Sequence, residues 1–296
     1  MIQARFITEP TVVPIAQMAL MPEGIAGMLD WVRSRAPQCL PDELRADQSI
    51  TEQWFQGKSA IEPLFPHDRM DGDRKLTDNE LLIELAGRKC YNSFGLKAGR
   101  KSNAEYIAHT QQGDVPHASI LYHAKLSFFI AGVSRRVSHE LIRNYVGADR
   151  TEEGAPSQES TRYVENAGFY IIPPRYLDEM HKPERGEFEA TCHINYKCYR
   201  DIIATDIEGF ERNHDGQKPK GIDYKRILEA ASASLLHSVE TSFIWTTNPG
   251  ALAKLFKERD NEAADLEFQR FARKWKRVVM AHCPNAFPQP WMREGL

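Results

Sequence analysis

An apolar run from Leu126 to Val133 passes directly into a helical repeat. The run suits a buried strand, and Val133, Val137 and Leu141, with Ile142 on the same side, predict an amphipathic helix ending at Arg143. A buried strand feeding such a helix requires a mixed α and β globular chain. Asn144, a residue that readily leaves helical geometry, comes next. A polar loop with Gly147, Gly154 and Pro156 leads to Ser157-Gln158-Glu159-Ser160-Thr161-Arg162-Tyr163. Arg143 and Arg162 thus bracket a glycine-containing loop and a hydroxyl-rich run. A phosphate monoester needs such a set: guanidinium forks pair with its oxygens, and hydroxyls and backbone N–H groups fill the remaining positions. A solvated surface helix and loop would have the same composition.

At 296 residues and 42% hydrophobic, the chain can bury one large core or two modest ones. No apolar run approaches 18 residues, and the N-terminus lacks a basic-then-apolar leader, so a soluble, cytoplasmic protein without membrane contact is expected. A net charge of −3 argues against a general nucleic-acid binder but leaves room for a local basic pocket. Cys39, Cys90, Cys192, Cys198 and Cys283 include no CxxC pair, so neither a disulfide framework nor a metal site is indicated.

Residues 1–75 read as a strand (Thr11 to Leu20), a helix (Gly24 to Arg35) and a proline-broken stretch packed on the rest of the chain. Residues 76–296 read as the functional domain. There Thr77-Asp78-Asn79-Glu80 has the form of a capping box opening a helix to about Cys90. Further helices are expected over Asn103 to Thr110, Phe188 to Phe210, Ile227 to Phe243 and Ala263 to His282. A strand is expected from Phe169, closed by Pro173-Pro174. The stripe Phe268, Phe271, Trp275 and Val278 reads as core or subunit contact.

The segment from Ser134 to Tyr163 resembles the signature of the flavin-dependent thymidylate synthases. That signature has Ser-Arg, a helix ending Arg-His-Arg, seven residues, and a serine within Ser-Gln-x-Ser-x-Arg-Tyr. Ser134-Arg135, Arg143 and Ser157 to Tyr163 match. Asn144 and Tyr145 replace the His and second Arg, and the interval before Ser160 is stretched. Phe243-Ile244-Trp245-Thr246-Thr247-Asn248 resembles the family's Phe-x-Trp-Thr-x-Asn. Arg259 with Ala264-Asp265-Leu266-Glu267 resembles Arg-x4-Ala-Gln-x-Glu. His117, Ser119 and His123 keep a flavin-contacting spacing, although Tyr122 stands where Glu is usual. The family's Ala-Arg-x-x-Leu-Pro reads Ala231-Ser232-Ala233-Ser234-Leu235-Leu236, without its arginine.

The resemblance implies an α/β fold of α+β type: a central antiparallel sheet with flanking helices, assembled as a homotetramer with shared active sites. It implies FAD, NADPH and methylenetetrahydrofolate acting on a pyrimidine monophosphate. It places Arg259 at the uracil ring as the activating residue. Glu140, Arg143, Gln158, Ser160, Thr161 and Arg162 fall at nucleotide positions, and His117, Ser119, Arg143, Asn144, Asn248 and Lys254 at flavin positions. Three readings compete: a dUMP-specific thymidylate synthase, a relative that methylates UMP and also accepts dUMP, and a non-catalytic flavin- or nucleotide-binding protein. The long loop and the lost arginine favour the second.

Overall fold

The computed structural model describes residues 3–45, 48–56, 64–65, 69–94, 101–112, 116–145 and 155–294. Its centre is a four-stranded antiparallel sheet in the order β2-β5-β8-β6, formed by Thr11–Gln17, Leu126–Ser134, Glu240–Thr247 and Ala155–Gln158. Two small accessory pairs complete the strands. Arg5–Ile7 (β1) runs parallel to Phe169–Ile171 (β7), and Met70–Asp71 (β3) pairs with Arg74–Lys75 (β4). The expected central antiparallel sheet is therefore present.

Alternation sets the two faces of this sheet. Val12, Phe128, Ile130, Phe243 and Trp245 point into the main core. Val13, Phe129 and Ile244 sit side by side on the opposite face and remain partly exposed. In β5 the register slips between Ile130 and Val133, at Gly132. That glycine has φ +68, and a Cβ on it would lie 2.9 Å from the Glu9 carbonyl oxygen. Its N–H donates to Glu240 Oε1 at 2.9 Å. The kink brings the strand end to Ser134, which caps the next helix, α5 (Arg135–Tyr145), by accepting from Val137 N at 3.2 Å.

Against the core face lie α8 (Pro249–Arg259) and α9 (Leu266–His282), with Phe256, Phe268, Phe271 and Trp275 all fully buried. The aromatic stripe is core. Helices α3 (Asp78–Tyr91) and α4 (Asn103–Thr110) flank them. The Thr77 capping box forms as expected, with Thr77 Oγ1 and Glu80 bonding each other's backbone N–H. Helix α1 (Pro22–Arg35), the short α2 (Ile50–Phe55) and the outer side of α3 enclose a second apolar cluster around Leu29, Ile50 and Leu81. The 32-residue α6 (Lys182–Asn213) pairs with α7 (Ile222–Ser232) through Tyr199, Ile203 and Leu228.

Two expectations fail. The helix expected from Ile227 to Phe243 ends at Ser232, and Glu240–Thr247 is strand β8 at the middle of the sheet. Ser232 Oγ donates to the Glu229 carbonyl at 2.9 Å and Ser234 Oγ to the Ala231 carbonyl at 2.8 Å, closing the helix without Gly or Pro. Ala155–Gln158, read as loop, is an edge strand, where Pro156 is tolerated. The loop positions Gly147 to Gly154 lie outside the described residues.

Candidate active site

Helix α5, strand β6 and the approach to β8 enclose a cleft of about 490 Å³. Arg135, Arg136, His139, Glu140 and Arg143 line it from α5, Gln158 from β6, and His237 from the turn before β8. The strand-to-helix junction holds the α5 end rigidly. Ser134 donates from its backbone N–H to Glu267 Oε1 and from Oγ to Oε2, both at 2.8 Å, within the protein interior. Arg136 joins the same carboxylate at 3.3 Å and Asp265 at 3.2 Å. Thus Asp265 and Glu267, read in the Arg259 motif, anchor α5, and Asp265 also caps α9 by accepting from the Glu267 and Phe268 N–H groups.

Arg135 donates from Nη2 to the Glu159 carbonyl at 2.9 Å. Burial lowers its guanidinium pKa below the ordinary value, opposed by the negative charges of Glu159 and Glu240. Burial likewise pushes the Glu240 carboxyl up, opposed by the Gly132 N–H and by Arg135. Gln158 is fixed at the cleft floor: its Nε2 donates to Ser138 Oγ and to Thr241 Oγ1, each at 2.9 Å. With both amide hydrogens occupied, its Oε1 is left as an acceptor. Arg143 is exposed at the cleft, and among the described residues it has no ion pair. The Asn144 side chain lies outside the described residues.

The remaining predicted nucleotide positions lie beyond β6. Ser160 Oγ accepts from Arg162 N at 3.3 Å, and Thr161 is partly exposed beside it. The Arg162 guanidinium is engaged by Glu229 of α7 through Nε and Nη2. That partner is not legible in the sequence; Glu229 lies on the correctly expected first part of the helix from Ile227, 67 residues from Arg162.

A second group gathers around the start of α8. His117, just before the 3-10 segment Ala118–Tyr122, and Ser119 within it are exposed, and His117 Nε2 lies 2.8 Å from the Tyr91 hydroxyl. Tyr122 covers Gly250 so closely that a Cβ there would lie 2.6 Å from its ring. This contact joins the turn to Asn248, which is buried and caps α8 by accepting from Ala251 N at 2.8 Å. Lys254 is exposed one turn further on, and Arg259 closes the helix with its guanidinium 5.4 Å from the Phe268 ring. His117, Ser119 and Lys254 are a donor set suited to a cofactor carrying phosphate. No cysteine lines the α5–β6 cleft; burial pushes the Cys192 thiol up to about 11 and also raises that of Cys283. Among the described residues no His/Cys/Asp/Glu cluster could hold a metal ion.

Residues 74–285 match the family Thy1, thymidylate synthase complementing protein. The flavin-dependent thymidylate synthase of Mycobacterium sp. (strain KMS) is 34% identical over 212 residues, covering 70% of this chain and 78% of the relative. That of Mycolicibacterium gilvum (strain PYR-GCK) is 34% identical over 209 residues, with 70% and 77% covered. Among solved structures, the UMP/dUMP methylase PolB from Streptomyces cacaoi, bound with 5-Br UMP, superposes with a TM-score of 0.57. Its identity is 12%, and the match covers 96% of this chain and 95% of PolB, a likeness of fold.

Proposed function

From the premise that the chain belongs to the Thy1 family and is an enzyme of the flavin-dependent thymidylate synthase kind, we propose that it methylates carbon 5 of a uridine 5′-monophosphate. UMP is a substrate and dUMP is also accepted. FAD, methylenetetrahydrofolate and NADPH complete the reaction, and the protein works as a homotetramer with shared sites. The observation that carries this reading is the α5–β6 cleft, lined by both Arg143 and a Gln158 fixed by two hydrogen bonds.

Within this reading Arg143 and Arg162 take the phosphate, with Ser160 and Thr161 supplying hydroxyls. The Gln158 Oε1 accepts from a sugar or ring donor, and Glu140 faces the same cleft from α5. A 2′-hydroxyl offers such a donor, which supports UMP. Arg259 stabilises negative charge on the uracil ring; a guanidinium stays protonated and does not act as a base. His117, Ser119, Asn248 and Lys254 hold FAD, with Arg143 and Asn144 as further flavin positions. FAD supplies the hydride chemistry when bound. Self-association is supported by the exposed row Val13, Phe129 and Ile244, an apolar sheet face that a second copy would cover.

The test is mass analysis of products from UMP and dUMP with the full cofactor set, alongside flavin titration. Methylated product from both at comparable rates is expected. Inert UMP would return the protein to dUMP-specific thymidylate synthesis, and discrimination over one hydroxyl can be as small as about a hundredfold in a tolerant pocket. Absence of product and of flavin binding would leave a nucleotide-binding protein without catalysis.

A further inference from the structure

A second cleft, of about 660 Å³, opens between the far end of α8, the middle of α9 and the 3-10 turn Pro290–Arg293. It shares no lining residue with the α5–β6 cleft. Its floor is an ion cluster. Asp260 accepts from Arg273 Nε at 2.7 Å and from Lys276 Nζ at 2.9 Å. Burial pushes the Asp260 carboxyl up, but the bonds from Lys276 and Arg273 outweigh it and hold the group below its ordinary range, ionised at neutral pH. One carboxylate therefore serves two cations, and the floor keeps a surplus positive charge.

The Lys276 side chain is only 5% exposed, so its share of that surplus is poorly solvated. Its ammonium has three donors, and its other acceptor among the described residues is the Trp291 carbonyl at a long 3.5 Å. Lys257 and Arg277 add two exposed cations at the rim. Glu294 is the only other carboxylate among the lining residues, so four cations face two acids in a chain whose net charge is −3. The partly exposed Trp291 forms a flat wall. The volume lies in the range of small-molecule sites, about 300–1,000 Å³.

We propose that this cleft binds a nucleoside triphosphate, its phosphate chain on Lys257, Arg273, Lys276 and Arg277 and its base against Trp291. A chain of phosphates distributes several negative charges over separate cations, as this spread of Lys and Arg requires. Aromatic stacking tolerates any base.

The experiment is calorimetric titration of the full-length protein at low salt with UTP and with inorganic triphosphate, with saturating UMP present to occupy the α5–β6 cleft. Saturable UTP binding is expected, about tenfold tighter than inorganic triphosphate through stacking. The double variant Lys257→Ala/Arg277→Ala should weaken UTP at least about tenfold. Both residues are exposed, so the variant should fold, which circular dichroism checks. Arg185→Ala, a cation of α6, should leave binding unchanged. No saturable binding of either compound would overturn the proposal, as would UTP affinity untouched by the double variant. Equal affinity for both compounds would overturn the base against Trp291. Turnover of UMP or dUMP enters none of these readouts.

Discussion

Two charged regions of this molecule are built on opposite plans. Around α3, Glu80 accepts from Arg74 Nη1 and Nη2 at 2.9 and 2.8 Å, from Thr77 N and Oγ1, and from Asn285 N at 3.0 Å. Asn103 bonds Glu84 and the Glu80 carbonyl, and Asn285 bonds Asp71 and Asn103. Glu84 and Arg88 pair with both side chains fully buried. In the α5–β6 cleft, by contrast, Arg143 is exposed and His139 and His237 face open space. Burial without partners is expensive, so a charge cluster that holds a fold together satisfies itself. A cluster left short of partners at a cleft keeps binding capacity for something else. Residue type alone does not separate the two; partners do.

The largest expected effect breaks the first region. Glu80→Ala removes the acceptor shared by the β3–β4 hairpin, the α3 cap and the segment after α9. Leaving Arg74 and the Asn285 N–H without it should cost about 3–5 kcal/mol in denaturant unfolding. Unchanged stability would mean that the cluster is incidental. Next, Arg259→Ala should lower kcat on the order of a hundredfold at saturating nucleotide, with its circular dichroism spectrum intact. Arg259 also lies against Phe268, so the bland alternative is a packing role. A variant that melts early but turns over normally would select that alternative.

Much of this contrast was readable in the chain. Thr77 and Glu80 announced a cap, and the Leu126–Val133 run announced the central strand feeding α5. The site motifs were readable as a pattern, but their assembly was not. Leu228, Ala231, Leu235 and Val239 keep helical spacing, yet the helix stops at Ser232 because serine hydroxyls take its last carbonyls. The alternation of Thr241, Phe243, Trp245 and Thr247, all buried, was the stronger signal for that stretch. The Arg162–Glu229 pair and the parallel β1–β7 pairing join residues far apart in sequence, where local patterns carry no information.

A smaller effect sharpens what satisfied charge means outside the α3 cluster. Asp30 on α1 accepts from the Ile50 and Thr51 N–H groups and from the hydroxyls of Ser49 and Thr51. Burial pushes its carboxyl up, but these bonds, led by Thr51, bring it down to about 2. A depressed folded value contributes stability above the unfolded value, about 3.9, and loses it as pH falls toward about 2. The contribution is about 2 kcal/mol near neutral pH. Asp30→Asn should remove most of it at pH 7 and make little difference near pH 2. An equal effect at both pH values would assign the loss to packing.

The smallest expected effect tests whether Arg162 belongs with the open cleft or with the closed clusters. Its guanidinium is held by Glu229, yet the proposed function needs it for a phosphate. Both side chains are partly exposed, at 55% and 35%, so the pair contributes about 0–1 kcal/mol to folding. A phosphate can outcompete it, since charge-assisted bonds to a dianion are stronger than one solvated ion pair. Glu229→Gln removes the competitor and keeps the shape. Nucleotide affinity should then rise by a few fold, about the factor set by releasing such a pair, with the melting temperature nearly unchanged. Arg162→Ala should weaken binding by about 2 kcal/mol in the same assay. If Glu229→Gln leaves affinity unchanged while Arg162→Ala lowers stability alone, Arg162 is a strut between the signature and α7. The phosphate would then rest on Arg143 and its neighbours in the cleft.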